Sequence, residues 1–388
     1  MAKARGFNTK LTIVIAVIFT MYIVTLVTIP LQETTRSYGR SREQVDVFLA
    51  QLGSPVDGGP GGPITTVPPD VVEKLEDMKQ ELNDSRFTND SLYPSRKIGR
   101  YLMLDPNLCR GVDKLDFIII VHTAPGHLER RQRIRDSFAR ESLFAPTFRL
   151  RVAFLLGRTL NQTLERMLWL EHMAHNDTVM GSFVDDYHNL SIKGVMGFKW
   201  VSEHCANSEF VLKIDDDVMI NMYKVLGVVH GQIRGKAKSI FCNLKPKDST
   251  DIFRKGKWKV DAHIFSKRTT FPYDYCSGFM VIMSTDLMAP MSAVSRITPF
   301  FWIDDLYLFG MLPRMVGGVT YHSYPMHVNV TLYERVAVNC TKTLGADCPI
   351  FASIVGDQSF WSYWEMIKQL YETSNLWRSE RKPETLRL

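Results

Sequence analysis

Three acids, Asp215, Asp216 and Asp217, follow directly on Phe210-Val211-Leu212-Lys213-Ile214, a run that reads as a buried strand. Adjacent carboxylates repel one another, and holding them ionised beside apolar chain calls for a compensating cation. Ligands that are all oxygen favour a hard divalent ion, Mn2+ first and Mg2+ as the alternative, over zinc. In open α/β sheets the carboxyl ends of the strands are also where ligands gather. A cation held there can neutralise a diphosphate leaving group, so the triplet points to chemistry on a nucleotide-linked substrate. An exposed acidic turn is the plain alternative. An EF-hand is excluded, because Ile220 and Leu226 stand where its loop needs Gly and Glu.

Further on, Phe301-Trp302-Ile303-Asp304-Asp305 sets two more acids beside aromatic residues. The elements needed to bring these groups together can be read in order. Asp116 to His122 is a continuous apolar strand of the kind buried on both faces in parallel sheets. A turn at Ala124-Pro125-Gly126 leads into a basic helix, His127 to Ala139. Arg149 to Gly157 is a second strand, Asn161 to His175 a helix, Thr178 to Val184 a strand and Leu190 to Cys205 a helix. Such alternation predicts an α/β sheet with right-handed crossovers. Dinucleotide and P-loop fingerprints are both missing. Asn221 to His230 is expected to be helical, and Ser239 to Cys242 and the run Tyr275 to Met283 to be strands. Between them, residues 245–268 carry eight Lys/Arg against three Asp, a basic excursion that suits either a solvated loop or an acidic partner.

The 388 residues easily bury a core, and the mild net charge of +6 lacks the clustered basic stripe of nucleic-acid binders. Leu11 to Ile29 is a run of nineteen uncharged, mostly apolar residues, long enough to span a bilayer and followed by no small-x-small cleavage pattern. Basic residues flank it evenly, so charge alone sets no orientation. Seven Asn-x-Ser/Thr triplets, at Asn83, Asn89, Asn161, Asn176, Asn189, Asn329 and Asn339, all lie beyond the span and favour a lumenal body. Six cysteines suit an oxidising compartment. Cys340 and Cys348 can close a short loop, and Cys109, Cys205, Cys242 and Cys276 allow three pairings. The expected layout is a cytoplasmic tail (1–10), a signal-anchor (11–29), a lumenal stem (30–108) and one catalytic domain (109–388). Gly53 to Pro69 reads as linker, and Val71 to Leu82 as a short stem helix through which a homodimer could form.

Several stretches together resemble glycosyltransferase family 31, the β-1,3-galactosyl- and N-acetylglucosaminyltransferases. Glu129-Arg130-Arg131-Gln132-Arg133-Ile134-Arg135-Asp136-Ser137-Phe138 is similar to its ERRxxIRxTW segment, with Phe138 in place of Trp. Phe154-Leu155-Leu156-Gly157 resembles its FLLG strand, and Phe183 to Lys193 its DxxDxYxNLTxK stretch. Lys213 to Asp217 resembles the DxD element, Phe271 to Gly278 the YPPYCSG element, and Ile303-Asp304-Asp305-Leu306-Tyr307 the acidic E/D-D-V element. The resemblance covers roughly Asp116 to Leu370.

It implies a GT-A fold, a Rossmann-like nucleotide-binding sheet merged with an acceptor region, and manganese-dependent inverting transfer from a UDP-sugar in the Golgi. On the matched positions Asp217 is the main metal ligand, Asp215 joins the metal or holds the ribose, and Asp216 bridges through water. Asp305 becomes the general base, with Asp304 beside it; a helix cap is the structural alternative. Arg131 and Arg135, four apart on one helix, are expected to reach the uridine diphosphate, and His122 and Thr123 the uridine. Ser277 and Gly278 are expected to approach the substrate, and Trp302 to stack on a sugar. Cys276-Ser277-Gly278 looks like the galactosyl branch, so UDP-galactose is the expected donor and a glycan the acceptor; UDP-GlcNAc is the runner-up, and a non-catalytic chaperone or lectin-like paralogue the third reading. The family's late metal-binding His is replaced at Gly356-Asp357, which leaves Asp357, His322, His327 or water as the third ligand.

Overall fold

A computed structural model of the chain describes residues 69–82 and 98–374. The apolar run Leu11 to Ile29 and the triplets at Asn83 and Asn89 lie outside them. Among the described residues no helix is long and apolar enough to cross a membrane.

Apolar runs without alternation can only be satisfied between two covering layers, and the central strands obey this. β1 (Tyr101–Met103), β2 (Leu115–His122), β3 (Leu150–Arg158), β4 (Thr178–Val184), β5 (Ser208–Asp215), β7 (Ser239–Lys245), β8 (Tyr275–Ser284) and β9 (Thr320–Ser323) form one sheet in the order β1-β4-β3-β2-β5-β8-β7-β9. The fold is mixed α/β. Strands β4, β3, β2 and β5 run parallel. β8 runs antiparallel to β5, which regular alternation did not foretell. Its consequence is local: the start of β8 lies beside the end of β5.

Strand residues alternate between two cores. Ile118 and Ile120 of β2 face one, and Phe117, Ile119 and Val121 face the other. Each fully buried side chain of this size contributes about 1.5–3 kcal/mol. The first core is covered by α4 (Leu190–His204), almost wholly buried. The second is covered by α2 (Leu128–Asp136), by α5 (Phe360–Ser374) and by a small sheet of β6 (Val218–Ile220), β10 (Val330–Thr331) and β11 (Ala352–Ile354). Helix α3 (Gln162–His175) links β3 to β4.

The expected stem boundary is displaced. Helix α1 (Pro69–Leu82) buries Val71, Met78 and Leu82 in the first core. Glu81 pairs with Arg268 and Asp77 with Arg314, and β1 joins the large sheet. The apolar face proposed for self-association is thus spent on the chain's own domain. Cys109 pairs with Cys205, Cys242 with Cys276 and Cys340 with Cys348, which selects one of the three open pairings.

Candidate active site

β5 ends at Asp215, which lies in register with His122, the last residue of β2. The two carboxyl ends therefore meet, and the acids emerge there. Each then takes a different partner.

Asp215 Oδ1 accepts from Lys213 Nζ at 2.6 Å, and the same ammonium donates to the Gly278 carbonyl at 2.6 Å. Lys213 is buried; burial pulls its pKa down, but Asp215, Asp304 and Asp305 raise it further, so it stays charged. Asp216 turns inwards. Its carboxylate accepts from Thr123 Oγ1 at 2.7 Å and from Arg130 Nη1 at 3.0 Å, and His127 Nδ1 lies at 2.7 Å. Burial pushes Asp216 up, but these hydrogen bonds outweigh it and hold the group below the usual carboxylate range. Asp217 is the acid left short of positive charge. Burial, then Asp215 and Asp216, raise its pKa, opposed by Arg130 at 3.9 Å and by a hydrogen bond from its own backbone N–H.

The Asp304–Asp305 pair opens a short helical turn, Asp304–Leu306, that continues through a π-helical turn, Tyr307–Met311. Asp305 is held against Gly278: a Cβ on that glycine would lie 2.1 Å from Asp305 Oδ1, and the Gly278 N–H donates to the carboxylate. Burial, then the neighbouring Asp304, push Asp305 up to about 7, against the pull of Lys213. Asp304 Oδ2 lies 3.8 Å from His122 Nδ1. His122 is neutral, its pKa lowered by burial and by Lys213 and Lys193, and neither ring nitrogen has a hydrogen-bond partner among the described residues. Lys213 thus links the two acidic groups through Asp215 on one side and Gly278 on the other.

Several expectations need correcting. Arg131 and Arg135 do not point to the acids. Arg131 is fully buried and donates to both Glu171 oxygens (2.8 and 2.7 Å), to Thr123 Oγ1 and to the Ala124 and Pro125 carbonyls. Arg135 holds Asp177 and Glu171. That face of α2 meets α3, and the neighbouring face carries the arginines that do reach the site. Arg130 bridges Asp216 and Asp357, while Arg133 donates to Asp357 at 2.6 Å and to the Asp216 carbonyl at 3.4 Å. Both Asp216 oxygens already accept from fixed donors, Thr123 and His127 on one and Arg130 on the other. Thr123 serves Asp216 and, by its carbonyl, Lys193 at 2.6 Å. Ser277 Oγ donates to Asn243 Oδ1 at 3.3 Å, and Gly278 positions Asp305. Trp302 packs 4.6 Å from the ring of His188.

A hard cation would find oxygens at Asp217 and at the second oxygen of Asp215. Asp357 is taken by Arg130 and Arg133, His322 stacks on Phe241 at 4.4 Å, and His327 lies 3.1 Å from Thr331 Oγ1. No cluster of three His, Cys, Asp or Glu side chains is arranged to hold a metal among the described residues. The donors therefore suit a cation completed by oxygens from outside the chain.

The profile of the galactosyltransferase family matches residues 129–324, a stretch that runs from α2 past the acids and the Asp304–Asp305 pair into β9. The chain belongs to this family. By family it is a glycosyltransferase, with the resemblance to glycosyltransferase family 31 upheld. A lactosylceramide 1,3-N-acetyl-beta-D-glucosaminyltransferase A of Danio rerio is 26% identical over 240 residues, covering 58% of this chain and 63% of that protein. The chain thus spans just under two thirds of that relative's length. Beta-1,3-galactosyltransferase 1 of Mus musculus and Homo sapiens is 27% identical over 246 residues, covering 61% of this chain and 72% of theirs. Among solved structures, the bifunctional glycosyltransferase WbbM covers 70% of this chain and 53% of its own at 8% identity and a TM-score of 0.35. The mannosyltransferase Ktr4p of S. cerevisiae covers 69% and 81% at 10% identity and a TM-score of 0.25.

The sequence missed Lys213, Arg130, Arg133 and His127 as parts of the site. A lysine two residues before the acids on the same strand was the available signal: period two points Lys213 and Asp215 to one side of the sheet.

Proposed function

We propose that this family member is an inverting β-1,3-galactosyltransferase with a GT-A arrangement, moving galactose from UDP-galactose to a glycan acceptor. Asp305 takes the proton from the acceptor hydroxyl as that oxygen attacks the anomeric carbon. The bond from that carbon to the diphosphate breaks in the same displacement, and UDP departs with the electron pair. One displacement inverts the centre, which is why a single base suffices. Asp304 keeps the Asp305 proton affinity high, and Lys213 limits that rise. His122 and Thr123 back the acids from the end of β2, where Thr123 fixes Asp216, while Ser277 and Trp302 stand nearer the acceptor side. Asp217 and Asp215 would hold Mn2+, or Mg2+, which when bound supplies Lewis-acid relief of the diphosphate charge.

The observation that carries this reading is Lys213, bonded at 2.6 Å to both Asp215 and the glycine on which Asp305 rests. UDP release by the full chain, measured across UDP-galactose and UDP-GlcNAc with and without acceptor and manganese, tests it. Transfer dependent on acceptor and lost in Asp305→Asn is expected. Equal turnover in Asp305→Asn would sink the assignment, and preference for UDP-GlcNAc would move the chain to the activity in the name of its zebrafish relative. The same reading takes the chain to be a type II Golgi membrane protein, anchored at 11–29, with the described residues lumenal.

A further inference from the structure

Between β7 and β8 the basic excursion is a built element. Its guanidinium Arg254 donates to the carbonyls of Asp261 (2.7 Å), Ile264 (2.9 Å) and Phe265 (3.0 Å), and Ile252, Val260, Ile264 and Phe265 bury their side chains. The tip that this scaffold presents, Lys255-Gly256-Lys257-Trp258-Lys259, is exposed throughout.

Trp258 leaves 47% of its surface open, yet it is fixed: its Nε1 donates to Tyr187 Oη at 2.9 Å. Lys257 Nζ lies 4.3 Å from the Tyr187 ring centre. Tyr187, 39% exposed, adjoins Trp302 at 6.3 Å, and His188 adjoins Trp302 at 4.6 Å. Asp186 faces His188 at 3.3 Å and is the nearest acid in sequence to this group. Lys255, Lys257 and Lys259 have no carboxylate partner among the described residues. Trp302 stands two residues before Asp304, and Phe301 is tied to α4 through Ser191 Oγ at 2.7 Å. A fixed, exposed aromatic floor with a lysine fringe therefore leads, through Trp302, to the turn that carries the acid pair.

We propose that this floor holds the acceptor and that the acceptor is an anionic saccharide: a C–H face of one sugar lies on Trp258 beside Tyr187, and a carboxylate or sulfate of the same glycan is drawn by Lys255, Lys257 and Lys259. The inference rests on the transferase reading and adds the acceptor's class to it. An anionic bilayer would attract the lysines too, but it gives no role to a tryptophan locked to Tyr187 beside the catalytic turn.

The test is calorimetric titration of the full chain, in detergent and with UDP, using a uronate-terminated trisaccharide and its carboxyl-reduced counterpart. The uronate is expected to bind about tenfold tighter, and Lys255→Gln/Lys257→Gln/Lys259→Gln to erase that preference. Trp258→Ala should weaken both ligands about tenfold and Trp258→Phe largely restore them. Equal binding of the two saccharides, unchanged binding in the variants, or a lysine effect confined to anionic vesicles overturns the proposal. Binding as expected with no transfer by the wild-type chain would instead overturn the transferase reading and leave the floor standing.

Discussion

Asp305 Oδ1 occupies the space where a side chain on Gly278 would begin, 2.1 Å from the Cβ position. The glycine in the Cys276-Ser277-Gly278 element is thus a seat for Asp305, the proposed general base. Gly278→Ala must push the carboxylate aside, and a displacement of about 1 Å in a reacting group can cost about 100-fold in rate. Expected is a kcat loss of that order with UDP affinity changed less than about twofold. Full activity in Gly278→Ala, from initial rates and UDP titration, would remove Asp305 from the mechanism.

Because burial and Asp304 push Asp305 up to about 7, its basic form predominates only above that pH. Transfer should fall as pH drops through about 7. Stability runs the other way: a folded pKa above the unfolded 3.8 means the contribution is fully present below 3.8 and lost as pH rises through about 7. Asp305→Asn should therefore raise the melting temperature at pH 8 by about 2–4 °C per kcal/mol of relief, and leave it unchanged at pH 3. A pH-rate profile and paired melting curves check both signs.

Neighbouring arginines on α2 have opposite fates. Arg131 is fully buried on Glu171, so Arg131→Ala strands a charge and should cost about 3–5 kcal/mol. Arg130 is partly exposed and shares Asp216 with Thr123 and His127, so Arg130→Ala should cost about 1–3 kcal/mol. Urea midpoints of the two variants give the order directly; a reversed order would contradict the burial described.

The disulfides should differ by loop length. Cys109–Cys205 spans 96 residues and Cys340–Cys348 spans 8. Chain entropy then predicts a loss of about 4–5 kcal/mol for the first when both cysteines become Ser, and about 2–3 kcal/mol for the second. Denaturation curves of the two double variants measure the difference.

Chelation is the last check. With Asp217 short of positive charge, removal of divalent ions should abolish transfer, and added Mn2+ should restore it. Transfer that persists after exhaustive chelation would show that Arg130 and Lys213 suffice for the leaving diphosphate.

Much was legible in the chain itself. Uninterrupted apolar runs such as Phe117-Ile118-Ile119-Ile120-Val121 can be buried only between layers, so the α/β sheet and the emergence of Asp215 to Asp217 at a strand end follow from local pattern. Local order also suggested the Cys340–Cys348 bridge, because eight residues bring the two together with little entropy to lose. Which face of α2 meets the acids was not legible: Arg130, Arg131, Arg133 and Arg135 are all basic, and only the packing of α3 separates those that pair with Glu171 from those that reach Asp216. Likewise, α1 reads as an isolated amphipathic helix until the core that covers Val71 and Met78 is in place. The antiparallel entry of β8 is non-local too: it sets Gly278 beside Lys213, and the packing of the Asp304–Leu306 turn against β8 adds Asp305. Residue types carry their chemistry in the linear chain, but charge compensation depends on distance in space, and that distance is set when strands far apart in sequence pair.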